Sequence, residues 1–227
     1  MADTIWRSGI LVKISLHSYV HPMKTRKYEL KRRAEQQAET RQRIVEAMVA
    51  LHGEVGPART TISAIAERAG VERLTVYRHF ADDSAMFQAC SAHFATEVAW
   101  PDPDGWAGMA DPAERLRAAL LAFYAYYRRA ERMLAHVHRD LPELPALAAV
   151  MAPWDVFVGT VRDGLLEGWL APESEEPGRA RLAAAVAHAL RFDTWRSLAR
   201  AEVLEDAEAA GLMVDLARAA VAASQSR

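Results

Sequence analysis

The stretch 61–80, TISAIAERAG VERLTVYRHF, constrains the fold more than any other. Ile62, Ile65, Ala66 and Ala69 recur at helical spacing, and Thr61 ahead of them is a good N-cap. Gly70 ends this helix early. Val71, Val76 and Phe80 then form the inward face of a second short helix. Two short helices joined by a tight glycine-containing turn make a helix-turn-helix. In that motif the second helix packs on the first and offers its polar face to a DNA major groove. Here that face carries Glu72, Thr75, Arg78 and His79, flanked by Arg73 and Tyr77. Guanidinium groups suit guanine edges or phosphate, the Thr75 methyl suits thymine, and Tyr and His donors suit phosphate. The same spacing also fits a helical hairpin with an ordinary solvated face.

Helical periodicity continues on both sides. Ile44, Ala47, Met48 and Leu51 define one face of a first helix starting near Arg41 and ended by GEVGP at 53–57. Asp82 or Asp83 caps a fourth helix, with Met86, Phe87, Cys90 and Phe94 inward. A Pro/Gly/Asp-rich loop at 100–110 marks a domain boundary. Asp111, Pro112 and Glu114 then form a strong helix start. A long aromatic helix is expected to about Arg129 and a shorter one to Arg139, before the break DLPELP at 140–145. Further helices are expected at about 146–170, 179–200 and 206–222. No segment alternates with a period of two, so the expected class is all-α.

Charge is unevenly spread. The net charge of −2 combines +6 over residues 1–43, zero over 44–81 and −8 over 82–227. A basic front on an acidic body suits an end that meets a polyanion, and a solvated basic arm would look the same. Cys90 is the only cysteine, so no internal disulfide forms. The longest apolar run, 118–127, is too short for a membrane span, and no signal peptide is readable. A cytoplasmic location is expected, with no membrane partner.

The residues RQRIVEAMVALHGEVGPARTTISAIAERAGVERLTVYRHF resemble the DNA-binding domain of the tetracycline-repressor (TetR) family. The resemblance is close over about residues 40–97, and IAERAGV and TVYRHF carry it. It implies an N-terminal three-helix helix-turn-helix domain and a larger C-terminal helical domain for ligand binding and dimerisation. The implied division is a basic N-terminal extension at 1–36, expected to be flexible, a DNA-binding domain at 37–99, and an effector-binding and dimerisation domain at 111–227. Carried over by position, Thr61, Tyr77 and His79 hold phosphates, and Arg43 adds a further phosphate contact. Ser63, Arg73, Leu74 and Thr75 lie closest to base edges, with Arg78 on the same exposed face. The sequence departs from the family at three places. Asp83 stands where a phosphate-binding lysine is usual, His52 where a buried Phe is common, and Pro57 where an aromatic is usual.

The family layout also implies a pocket in the C-terminal domain. Phe123, Tyr124, Tyr127, Met133, His136, Trp154, Phe157 and Trp169 are its candidate lining, although each equally suits a plain core. His136 and His138 do not share a helix face, so that pair does not make a metal site. For a homodimer interface the candidates are Leu182, Val186, Ala189, Phe192, Trp195, Leu212, Met213, Leu216 and Ala220, which could instead pack within one chain. No catalytic motif is present. The expectation is a non-enzymatic, ligand-responsive regulator without a cofactor, a repressor released from a double-stranded operator by a small apolar or aromatic effector. The alternative is an all-α small-molecule-binding protein that has lost specific DNA binding.

Overall fold

The computed structural model describes residues 23–170 and 176–225, and every regular element among them is helical. Residues 1–22, much of the expected N-terminal extension, lie outside the described residues, as does most of the APESEEPG connection.

Helix α1 (Met23–Glu54) runs through the domain start expected at residue 37. Its first part, up to Glu39, belongs to one compact unit and residues 40–227 to another. The expected flexible extension is therefore helical from Met23 onward. The physical reason lies in composition: Lys, Arg, Glu, Gln and Ala dominate 23–39, with no Gly or Pro to break the helix. Side chains from Lys27 to Glu39 are exposed, and Lys31 pairs with Glu35 one turn on at 3.7 Å.

In the second unit, Ile44, Val45, Met48 and Leu51 of α1 are buried against α2 (Ile62–Ala69) and α3 (Arg73–His79). Thr61 caps α2, its hydroxyl accepting from the Ala64 N–H at 3.1 Å. Gly70 ends α2 in the left-handed conformation (φ +65°), which glycine adopts without Cβ strain. Val76 and Phe80 seat α3 on α1 and α2. Asp82, rather than Asp83, caps α4 (Asp83–Glu97), accepting from the Ala85 N–H at 2.8 Å.

Helix α5 (Pro112–Asp140) opens on the expected cap, with Asp111 accepting from the Ala113 and Glu114 N–H groups. It is one helix where two were expected, because nothing near Arg129 breaks it. The turn Leu141–Glu143 leads to α6 (Pro145–Leu165). The helix expected at 179–200 is instead α7 (Glu176–Ala189) and α8 (Phe192–Arg196), followed by a wider helical turn at Ser197–Ala201. Tertiary bonds fix the break: Tyr124 and Tyr127 of α5 donate their hydroxyls to the carbonyls of Ala189 and Leu190. Helix α9 (Asp206–Gln225) packs along α7 and α5.

This packing places most of the interface candidates inside the chain itself. Leu182, Val186, Ala189, Phe192, Trp195 and Met213 are buried in the chain's own core with Phe123, Tyr124 and Tyr127. They pack in one cluster with side chains of α5, α6 and α9. Leu212 and Leu216 remain 47% and 43% exposed on α9, and Ala220 is half-buried.

Candidate functional site

The helix-turn-helix places most of the candidate DNA-facing residues in solvent. Thr61, Ser63, Arg73, Leu74, Tyr77 and Arg78 are exposed, and Thr75 and His79 are half-buried. Leu74 is 65% exposed and Tyr77 52%, unusual for such side chains unless they meet a partner. Arg78 donates to the Thr75 hydroxyl at 3.0 Å, which orders both side chains along the face. Partial burial, aided by the nearby guanidinium groups of Arg41 and Arg78, holds His79 below its ordinary value.

Two placements add to the sequence expectation. Arg43 is exposed, and its Nη1 donates to the Ala69 carbonyl at 2.9 Å, which caps α2 and orients the guanidinium. Arg41, which no local signal singled out, lies over the Phe80 ring at 4.5 Å and pins the end of α3. Its proximity to His79 gives that end of the face a second cation. Asp83 is exposed in the first turn of α4 and puts a negative charge just beyond α3.

Behind this face, α1 and the turn after it are joined to α5. The Ala58 N–H donates to the Asp140 carboxylate at 3.0 Å, and Arg139 donates to the Val55 carbonyl at 2.9 Å. His136 Nδ1 donates to the His52 carbonyl at 3.1 Å, which makes His136 a tie between α5 and α1. His52 is itself buried, 3.2 Å from the Cys90 thiol and beside the Phe87 ring. Burial pushes the His52 imidazole down to about 4 and the Cys90 thiol up to about 12, so both are neutral at pH 7. Phe87, Met133, Val137 and Leu147 close an apolar seam between α4, α5 and α6.

Three cavities border α6. An inner chamber of about 70 Å³ lies among His52, Phe87, Cys90, Met133 and Trp154. An outer cleft of about 410 Å³ lies among Tyr127, His138, Trp154, Asp155, Arg191 and Asp193. A third cavity of about 250 Å³ involves Trp106, Arg115, Phe157 and Thr160. Of the candidate pocket residues, Tyr127, Met133, Trp154 and Phe157 line these cavities. Phe123, Tyr124, His136 and Trp169 line none of these three. Phe123 and Tyr124 are fully buried core, and the Trp169 indole donates to the Leu165 carbonyl. The charged wall of the outer cleft was missed, since its four residues come from three distant parts of the chain.

Among the described residues, no group of three or more His, Cys, Asp and Glu is placed to hold a metal ion. No described helix is long and apolar enough to cross a membrane.

Residues 44–90 match the family described as "Bacterial regulatory proteins, tetR family". No curated protein matches the chain. Among solved structures, the chain is similar to a TetR-like transcriptional regulator from Rhodococcus sp. RHA1. That match has 22% identity and a TM-score of 0.56, and covers 81% of this chain and 96% of the other. It is also similar to a TetR family transcription regulator from Marinobacter aquaeolei VT8, with 16% identity, a TM-score of 0.54, and coverage of 82% and 97%. A third similar structure, from Mesorhizobium loti MAFF303099, has 17% identity, a TM-score of 0.55, and coverage of 82% and 97%. At these identities the structural likeness speaks for the fold alone, and the family match is confined to residues 44–90.

Proposed function

We propose that the chain, which matches the tetR family of bacterial regulatory proteins over residues 44–90 and shares its fold with solved members, is a repressor released from its operator by a small apolar or aromatic effector. The observation that carries this reading is the exposed face of α3, with Arg73, Leu74, Tyr77 and Arg78 in solvent, tied through α1 to a cavity-bearing helical body. In this reading Arg73, Leu74 and Thr75 with Ser63 read base edges, while Thr61, Tyr77 and His79 hold phosphates. Arg41, held over the Phe80 ring, adds a phosphate contact beside that of Arg43.

A second copy of the chain completes the site, because paired recognition helices fit two half-sites. Leu212 and Leu216, one turn apart and exposed on α9, support docking there. Effector binding beside α6 shifts the population toward a spacing of the two α3 helices that no longer fits adjacent major grooves.

The second reading, a small-molecule-binding protein without specific DNA binding, draws on Asp83, whose exposed carboxylate repels a polyanion. A band-shift with DNA flanking the gene, followed by footprinting with and without a ligand library, separates the two. Sequence-specific retention that a ligand abolishes supports the repressor. Ligand binding without any specific retention supports the second reading.

A further inference from the structure

The outer cleft carries a charged wall, and an effector that is merely apolar leaves it unused. We propose that this cleft binds a hydrophobic cation, an amine or quaternary ammonium on an alkyl or aromatic body, with its tail directed into the inner chamber below α1 and α4. The proposal rests on the ligand-responsive reading above and names the class of ligand.

Asp155 and Asp193 line the cleft against one guanidinium, that of Arg191. The fourth charged-type residue, His138, sits 3.8 Å from Asp193. Burial outweighs that carboxylate and holds the His138 imidazole below its ordinary value, so it adds no charge at pH 7. The wall is therefore net negative. Tyr127, Trp154 and Phe192 also line the cleft, and the half-buried Trp154 offers an electron-rich ring that attracts cations. A carboxylate ligand would have Arg191 as its one cationic partner, with two like charges beside it. A cation gains from the two carboxylates and from Trp154, while the exposed Arg191 side chain is free to stay in solvent.

Leu134, Met151 and Trp154 line both the outer cleft and the inner chamber, so they form the partition between the two. The chamber is too small for a ligand body and is walled mainly by apolar side chains, so it suits the end of a tail. A tail entering past Trp154 touches Phe87 and Cys90 of α4 and His52 of α1. Those helices carry the DNA-binding domain, so occupancy of the chamber acts on it directly.

The test is calorimetric titration of the full chain with octyltrimethylammonium, octanoate and octanol below their aggregation limits. Octyltrimethylammonium should bind about three- to tenfold more tightly than octanoate, the scale of cation–π and screened ion-pair contacts at a partly exposed wall. Tetramethylammonium, which lacks the tail, should bind much more weakly than octyltrimethylammonium. Asp155→Asn and Asp193→Asn should each weaken the cation by about three- to tenfold and leave octanol unchanged, which also shows that the variants are folded. Tighter binding of octanoate, lost in Arg191→Gln, would overturn the proposal in favour of an anion site. Equal affinities insensitive to these substitutions, or no binding of the cation, would overturn it as well. DNA release is scored separately. Binding of the cation with unchanged operator affinity contradicts the ligand-responsive reading and upholds the cleft assignment. Release by other ligands without cation binding contradicts the cleft assignment alone.

Discussion

The Asp140 carboxylate, at the end of α5, accepts a hydrogen bond from the backbone N–H of Ala58, in the turn that follows α1, at 3.0 Å. Asp140 is buried, and Arg139 donates to its other oxygen at 2.6 Å while also reaching the Val55 carbonyl. Gly56 lies against this cluster with φ +96°, and a Cβ there would strike both the Arg139 guanidinium and the Asp140 carboxylate. The helix-turn-helix is thus latched to the helical body through main-chain groups that only this geometry satisfies.

Breaking the latch should be costly. Asp140→Ala leaves the Ala58 N–H without its partner, and we expect a loss of about 1–3 kcal/mol in urea unfolding at pH 7. Gly56→Ala should destabilise as well, by strain and by collision. Unchanged unfolding midpoints in both variants would mean that the turn is held by other contacts.

Two buried groups contribute to the pH dependence of stability. His52 is held neutral, its pKa lowered from 6.5 to about 4 by burial. The unfolded chain binds this proton more readily, so stability is complete above pH 6.5 and falls as pH drops toward 4. The loss from this group reaches about 3 kcal/mol. The Arg139 guanidinium foremost, with the Ala58 N–H, holds the Asp140 carboxyl below its ordinary value. Its contribution is present above the ordinary carboxylate range and is lost only as pH falls through the lower folded value. His52→Phe should therefore flatten the profile between pH 6.5 and 4 and leave the more acidic limb in place. Unfolding free energies of both proteins across that range check this.

At the other end of α5, Tyr124 and Tyr127 satisfy the carbonyls that α7 leaves open where it ends. Tyr127→Phe should cost about 1 kcal/mol or somewhat more, because the Leu190 carbonyl stays buried without a donor. Hydrogen exchange should show the turn at 190–191 opening more often. Wild-type protection in that turn would refute the assignment.

The helix-turn-helix was legible because its signals are local. Thr61, Gly70 and Asp82 fix helix ends within a few residues of themselves, and Val76 and Phe80 announce their burial by spacing alone. The break between α7 and α8 was not legible, since two tyrosines over sixty residues upstream impose it. Helical period distinguishes an apolar face from a polar one and does not say what covers it. Hence Phe192 and Trp195, expected between copies, are this chain's own core. The outer cleft draws charges from α5, α6 and the α7–α8 turn, which no window of sequence brings together.

At the DNA face, cap and charge fall on adjacent residues. Asp82→Ala should cost about 0.5–2 kcal/mol of stability, because it removes the acceptor of the Ala85 N–H. Asp83→Lys spares the cap and should cost less, up to about 1 kcal/mol of helix-dipole interaction. It should steepen the slope of log affinity against log salt by about 0.9 for each new phosphate contact, about 2 for a dimer. An unchanged slope would mean that residue 83 points away from DNA.

The central claim is that α3 reads DNA sequence on behalf of a paired molecule. It is tested most directly by selecting the duplexes that the full chain retains from a randomised pool, with Arg73→Ala in parallel. The account predicts a palindromic consensus whose half-sites are about one helical turn, or a multiple of it, apart. Arg73→Ala should lose about 1–3 kcal/mol on that consensus while keeping nearly all of its affinity for random DNA. A pool that stays random after selection, or equal losses by Arg73→Ala on both kinds of DNA, would contradict it.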